Sequence, residues 1–101
     1  MEFRKSLNNQ FQKYNLNNTH KPTFAKEVCD ILNSQLNCAF SEKDAFLWVE
    51  TTRVKTDVNF VNQMVGDLLI HNRKAELDQI VPSLIKLYPE LLILDYIKLA
   101  S

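Results

Sequence analysis

A single glycine, Gly66, serves all 101 residues of the chain. Hairpin turns and barrel corners draw on glycine wherever φ becomes positive, so an all-β fold needs it repeatedly. With only three prolines besides, the chain lacks the turn chemistry of a sandwich or barrel. Apolar residues make up 46% and charged residues 24%, ordinary globular usage that excludes wholesale disorder. Area scaling lets a chain of this mass bury about 65% of its unfolded surface, enough for a core without disulfides or metal. The prediction is an all-α fold, a compact bundle of four to six short helices forming one domain over residues 1–101.

Apolar spacing sets the individual helices. Phe3, Leu7, Phe11 and Tyr14 recur at four, four and three, a helical stripe that should end in the asparagines between Asn15 and Asn18. His20 falls in a linker before Pro22 or Thr23 opens a second helix with the stripe Phe24, Val28, Ile31, Leu32 and Leu36, ended by Asn37. The segment from Ser41 to Asp44 has the form of a capping box and starts a third helix, with Phe40 placed to staple onto Ala45. The β-branched run Thr51, Thr52, Val54 and Thr56 breaks it. A fourth helix runs from about Asp57 to His71. Gly66 inside it predicts a close helix–helix crossing that tolerates no Cβ, the alternative being a helix end at Val65. His71, Arg73 and Lys74 read as basic residues closing that helix against its dipole, with phosphate contact by Arg73 and Lys74 as the other reading. Leu77, Ile80, Val81, Leu84 and Tyr88 give a fifth stripe offset at Pro82, and Pro89 or Glu90 opens the last helix.

Twelve basic and twelve acidic residues cancel, which does not favour global nucleic-acid binding. The charges alternate in blocks, net positive over 1–26 and 51–74 and net negative over 27–50 and 75–101. Pairing between neighbouring helices explains this pattern, and a bipolar surface that steers a partner is the alternative. Cys29 and Cys38 are nine residues apart, too far for a structural zinc knuckle, and Glu42 and Asp44 near Cys38 disfavour a thiolate. One glycine makes no phosphate cradle, and no serine sits in a nucleophile elbow. The chain is therefore expected to be no enzyme and to bind no metal and no cofactor. Lacking an apolar leader and any run of about 18 apolar residues, it is expected to be cytoplasmic, off the membrane, with both thiols reduced.

What remains is surface. On a helical wheel begun at Pro89, Leu91 and Leu94 fall among Glu90, Asp95 and Lys98, the side a monomer would turn to water. Phe46, Leu47, Trp48 and Val49 cannot all point inward from one regular helix, so Leu47 or Trp48 should face away, and tryptophan is a frequent interface anchor. Leu91, Leu94, Asp95, Lys98, Leu47 and Trp48 are thus the candidate partner-binding residues. The functional expectation is a small protein–protein interaction module of inhibitor, immunity, antitoxin, chaperone or adaptor type, forming a homodimer or docking another protein. The second reading is a helix-turn-helix DNA-binding regulator built on Phe24–Leu36 and Ser41–Arg53, although its recognition helix would begin with the acidic Glu42 and Asp44.

Overall fold

The four-residue spacing of Phe3, Leu7 and Phe11 becomes the buried stripe of the first helix, with Tyr14 packed at its edge. The computed structural model describes the backbone of residues 2–17 and 21–100 and the side chains of 3–14 and 23–97. His20 lies outside the described residues. Six helices follow one another: α1 (Glu2–Asn17), α2 (Lys21–Leu36), α3 (Glu42–Thr51), α4 (Asp57–Ile70), α5 (Lys74–Leu87) and α6 (Leu92–Ala100). No strand occurs among the described residues, so the protein is an all-α bundle of short helices. None of the described helices is long and apolar enough to cross a membrane.

Asparagine does the turning that glycine does elsewhere. Asn37 and Asn72 both adopt the left-handed region, at φ 55° and 57°, where asparagine is the residue best tolerated after glycine. After α2, the amide of Cys38 donates back to the Asn33 carbonyl at 3.3 Å. After α4, Arg73 N–H donates to the Leu68 carbonyl and Asn72 N–H to that of Leu69, at 2.9 and 3.1 Å. That bond pair is the Schellman closure of a helix end. Ser41 caps α3 as the sequence implies, its Oγ accepting from Asp44 N at 3.1 Å; Thr56, read from the sequence only as part of a helix-breaking run, caps α4, its Oγ1 accepting from Asn59 N at 3.3 Å. Phe40 is buried and meets the Trp48 ring edge-on, centroids 5.0 Å apart.

Helix α4 is the hub. Its inner face, Phe60, Val61, Met64, Val65 and Leu68, is buried, and the helix packs against α1, α3, α5 and α6. The remaining contacts run α1 on α2 and α2 on α3 along one side, and α5 on α6 along the other. Gly66 does not serve a helix crossing within the chain. A Cβ built there meets nothing within 4 Å, and α4 continues unbroken through it with ordinary helical φ. A glycine in that place costs about 1 kcal/mol relative to alanine, and no packing in the chain offsets it. Pro82 sits on the exposed side of α5, where its missing N–H leaves the carbonyl of Asp78, itself an exposed residue, without that intrahelical bond.

Two arginines fasten the helices to one another. Arg4 in α1 donates through Nε to Asp57 Oδ2 at 2.9 Å, through Nη1 to the Leu87 carbonyl at 2.9 Å and through Nη2 to Glu90 Oε2 at 2.7 Å, with its guanidinium 4.4 Å from the Tyr88 ring centre. Arg73 donates to both Asp44 oxygens at 3.1 and 2.8 Å and to both Glu76 oxygens at 2.7 and 2.6 Å. Arg4–Glu90, Arg73–Asp44 and Arg73–Glu76 join blocks of opposite charge, the intrachain pairing expected of the alternating pattern, whereas Arg4–Asp57 joins two net-positive blocks. Arg73 and Lys74 do not close α4, however. They stand at the start of α5, where the helix dipole disfavours cations, and Asp44, Glu76 and Asp78 supply the compensating charge.

Hydrogen bonds from Arg73 hold the Asp44 carboxyl below its ordinary value, against the opposing effect of burial. A carboxyl with a lowered folded pKa stabilises above its unfolded pKa, near 4, and loses that contribution as pH falls through the folded value. Asp44→Asn should therefore lower unfolding free energy by roughly 1–2 kcal/mol at pH 7. In urea titrations repeated at decreasing pH, the gap from wild type should shrink steadily below about pH 4.

Candidate partner-binding site

The last helix begins at Leu92, three residues later than Pro89. Tyr88 to Leu91 instead form a tight turn in which Leu91 N–H donates to the Tyr88 carbonyl at 3.1 Å. Leu91 therefore enters the core from the turn, 8% exposed, and Leu94 does so from the first turn of α6, 1% exposed. Both were expected to face water, and both are intrachain core. The physical reason is the entry to the helix: Arg4 holds the Leu87 carbonyl and Glu90, fixing the turn and rotating α6. Trp48 is likewise fully buried, its indole N–H donating to Asp67 Oδ2 at 2.9 Å. Leu47 is the member of that pair that faces out, 44% exposed. Asp95 is exposed, and the Lys98 side chain lies outside the described residues.

Rotating α6 in this way exposes different apolar groups. Leu92 and Tyr96, one turn apart, are 79% and 65% exposed. Across from Tyr96 the end of α4 presents Leu69, while the next residue, Ile70, is 80% exposed on the outer side of that helix. A cleft of about 120 Å³ opens between the end of α4, the start of α5 and α6. Leu69, Leu77, Tyr96 and Ile97 give it apolar walls, and Asn72, Lys74 and Asp78 line it as well. Lys74 and Asp78 stand 3.9 Å apart, both largely exposed, so both heads stay hydrated. Ile70 and Tyr96 are residues the sequence reading missed. The signal for Ile70 was present: Leu68, Leu69 and Ile70 are consecutive on a helix and cannot all point inward, the same argument that singles out Leu47.

Other reactive groups are committed elsewhere. Cys29 Sγ donates to the Phe40 carbonyl at 3.3 Å, and Asn33 Nδ2 lies 3.4 Å from that sulfur. Cys38 Sγ donates to Asn33 Oδ1 at 3.5 Å, while Asn33 Oδ1 also accepts from Phe40 N at 2.8 Å. One asparagine thus fastens both thiols and the α2–α3 connection. Burial pushes both thiols up, Cys38 to about 11. Among the described residues, no group of three or more His, Cys, Asp or Glu side chains is placed to hold a metal ion. The guanidinium of Arg73 is occupied by two carboxylates and lies 5.9 Å from the Phe40 ring centre. Compared with known proteins, the chain matches no family model, no curated protein and no solved structure.

Two measurements check these placements. Leu94→Ala should destabilise by roughly 2–4 kcal/mol as a core truncation, whereas Leu92→Ala should change stability by no more than about 0.5 kcal/mol; chemical denaturation of the two variants reads both. Thiol alkylation of the native protein near neutral pH should run at least about tenfold slower than for free cysteine, because little thiolate forms. Two thiols per chain should react promptly once denaturant is added.

Proposed function

We propose that the protein is a small non-enzymatic interaction module that acts by holding an apolar segment of a protein partner in the α4–α5–α6 cleft. The observation that carries this reading is the grouping of large exposed apolar side chains, Leu69 and Tyr96 lining one concave site and Leu92 one turn before Tyr96. Apolar floors with a tyrosine at the edge and hydrated polar groups around them are the usual anatomy of a binding hot spot. Two of the three arginines, Arg4 and Arg73, are spent on internal carboxylates rather than offered to phosphate. On α3, the recognition helix of the DNA-binding reading, the exposed side chains include Lys43, Phe46, Leu47 and Glu50, a face with little net attraction for a phosphate backbone.

Tyr96→Ala combined with Leu92→Ser tests the reading, since both residues are exposed and the fold should be retained. A protein retained from host lysate by the immobilised wild-type chain should bind the double variant at least about tenfold more weakly. It should bind unchanged to Lys26→Ala, an exposed change on α2. Equal binding by the double variant refutes the cleft. Retardation of duplex DNA that weakens steeply with salt would favour the helix-turn-helix regulator instead.

A further inference from the structure

We propose that the outer face of α4 is a second, separate contact, through which two copies of this chain pair about a two-fold axis with Gly66 at the crossing. Opposite the buried stripe of α4 lie Asn59, Asn62, Gly66 and Ile70; the asparagines and Ile70 are exposed. Gly66 is the chain's one glycine, and neither reason for a glycine applies to it internally. Its φ is not positive, and no neighbour crowds its missing Cβ. A residue without a Cβ in open space on the outer face of a helix lets an external backbone come close, toward the short end of the usual interhelical spacing.

The charge pattern says what that external backbone is. In a chain one-quarter charged, the outer face of α4 carries no charged side chain. The helix has two carboxylates. Asp57 is buried against Arg4, and Asp67 is bonded to Trp48 and His71. Two-fold pairing sets each residue against a copy of its own surface. A charged face then meets its own sign. An amide carries both donors and an acceptor, so Asn59 and Asn62 can pair with a second set of amides, and the exposed Ile70 gains an apolar neighbour. The strip of amides and isoleucine around Gly66 is uncharged along α4, with Arg53 of the preceding connection exposed beside Asn59 and Asn62 at one end, and away from that end it is suited to a second copy of itself. Leu92 and Tyr96 project from α6, so this contact does not depend on the cleft.

Sedimentation of the full chain from micromolar to millimolar concentration should show a monomer passing to a dimer. Gly66→Leu should raise the dimer dissociation constant at least tenfold with unchanged far-UV circular dichroism. Should Gly66→Leu fail to fold, Asn62→Asp decides the matter: it puts like charges across the axis, weakens the dimer, and is partly rescued by salt. Gly66→Cys should give a disulfide-linked dimer in an oxidised-glutathione buffer, where Lys26→Cys gives none. Tyr96→Ala should leave the dimer constant unchanged, which separates this contact from the cleft. A wild-type chain that stays monomeric to millimolar concentration, or a dimer indifferent to Gly66→Leu and Asn62→Asp, overturns the proposal.

Discussion

Arg4 sits in the first turns of α1, yet its guanidinium reaches the first residue of α4, the last carbonyl of α5 and the turn that leads into α6. A planar fork with five donors suits that task, because it bonds in several directions without changing rotamer. Burial opposes the charge, and hydrogen bonds to Glu90 and Asp57 outweigh it, raising the Arg4 pKa. The same bond to Arg4 holds the Glu90 carboxyl low. Asp57, at 4% exposure, is a charge the fold tolerates only with this partner. The Tyr88 ring, stacked under Arg4 and edge-on to Phe3, fills the space beneath. Its hydroxyl is buried beside the Asp57 carboxylate, and burial together with that charge drives its pKa upward. The orientation of α6, and with it the cleft, follows from this cluster.

Local rules carried the sequence a long way. The stripes of α1 and α2, the Ser41 cap and the break after Thr51 are short-range matters of period, capping and β-branching, and each is found where those rules place it. Leu91 and Leu94 depended on something longer in range. Residues 91–97 are apolar on nearly every side, so periodicity leaves the rotation of the helix open. A contact 86 residues away, Arg4 to Glu90, settles it. Taking the broader apolar side as inward holds for Ile93 and Ile97, which pack on the core, and fails for Leu92 and Tyr96, which are exposed, and for Leu91 and Leu94, which are buried. His71 does cap α4, but Arg73 and Lys74 open α5: a basic run between two helices belongs to the end of one or the start of the next, and composition does not say which. Asp44, 29 residues away, draws Arg73 to the second.

Asn33 shows how much one polar side chain organises in a chain without glycine turns. Its amide bonds the Phe40 carbonyl at 3.0 Å and the Phe40 amide at 2.8 Å while touching both cysteine sulfurs. Phe40 is thereby seated against Trp48, and Trp48 against Asp67 of α4. The bonds run without a gap from the end of α2 to the hub. Cys29 and Cys38 are parts of that network, which accounts for cysteines nine residues apart without metal or redox chemistry.

The same economy bears on Gly66. Where the backbone must turn left-handed, the chain uses Asn37 and Asn72. Where helices cross inside the bundle, it uses ordinary side chains such as Ala25, Ala45 and Val49. The one glycine stands mid-helix, on the outer face of the most connected helix, where it destabilises the isolated fold. The two carboxylates of α4, Asp57 and Asp67, lie off that face and are bonded within the chain. A surface that is both uncharged and locally flat is a poor one for a monomer to keep and a good one for a copy to cover. The placement of Gly66 is therefore better explained by a contact between chains than by any contact within one.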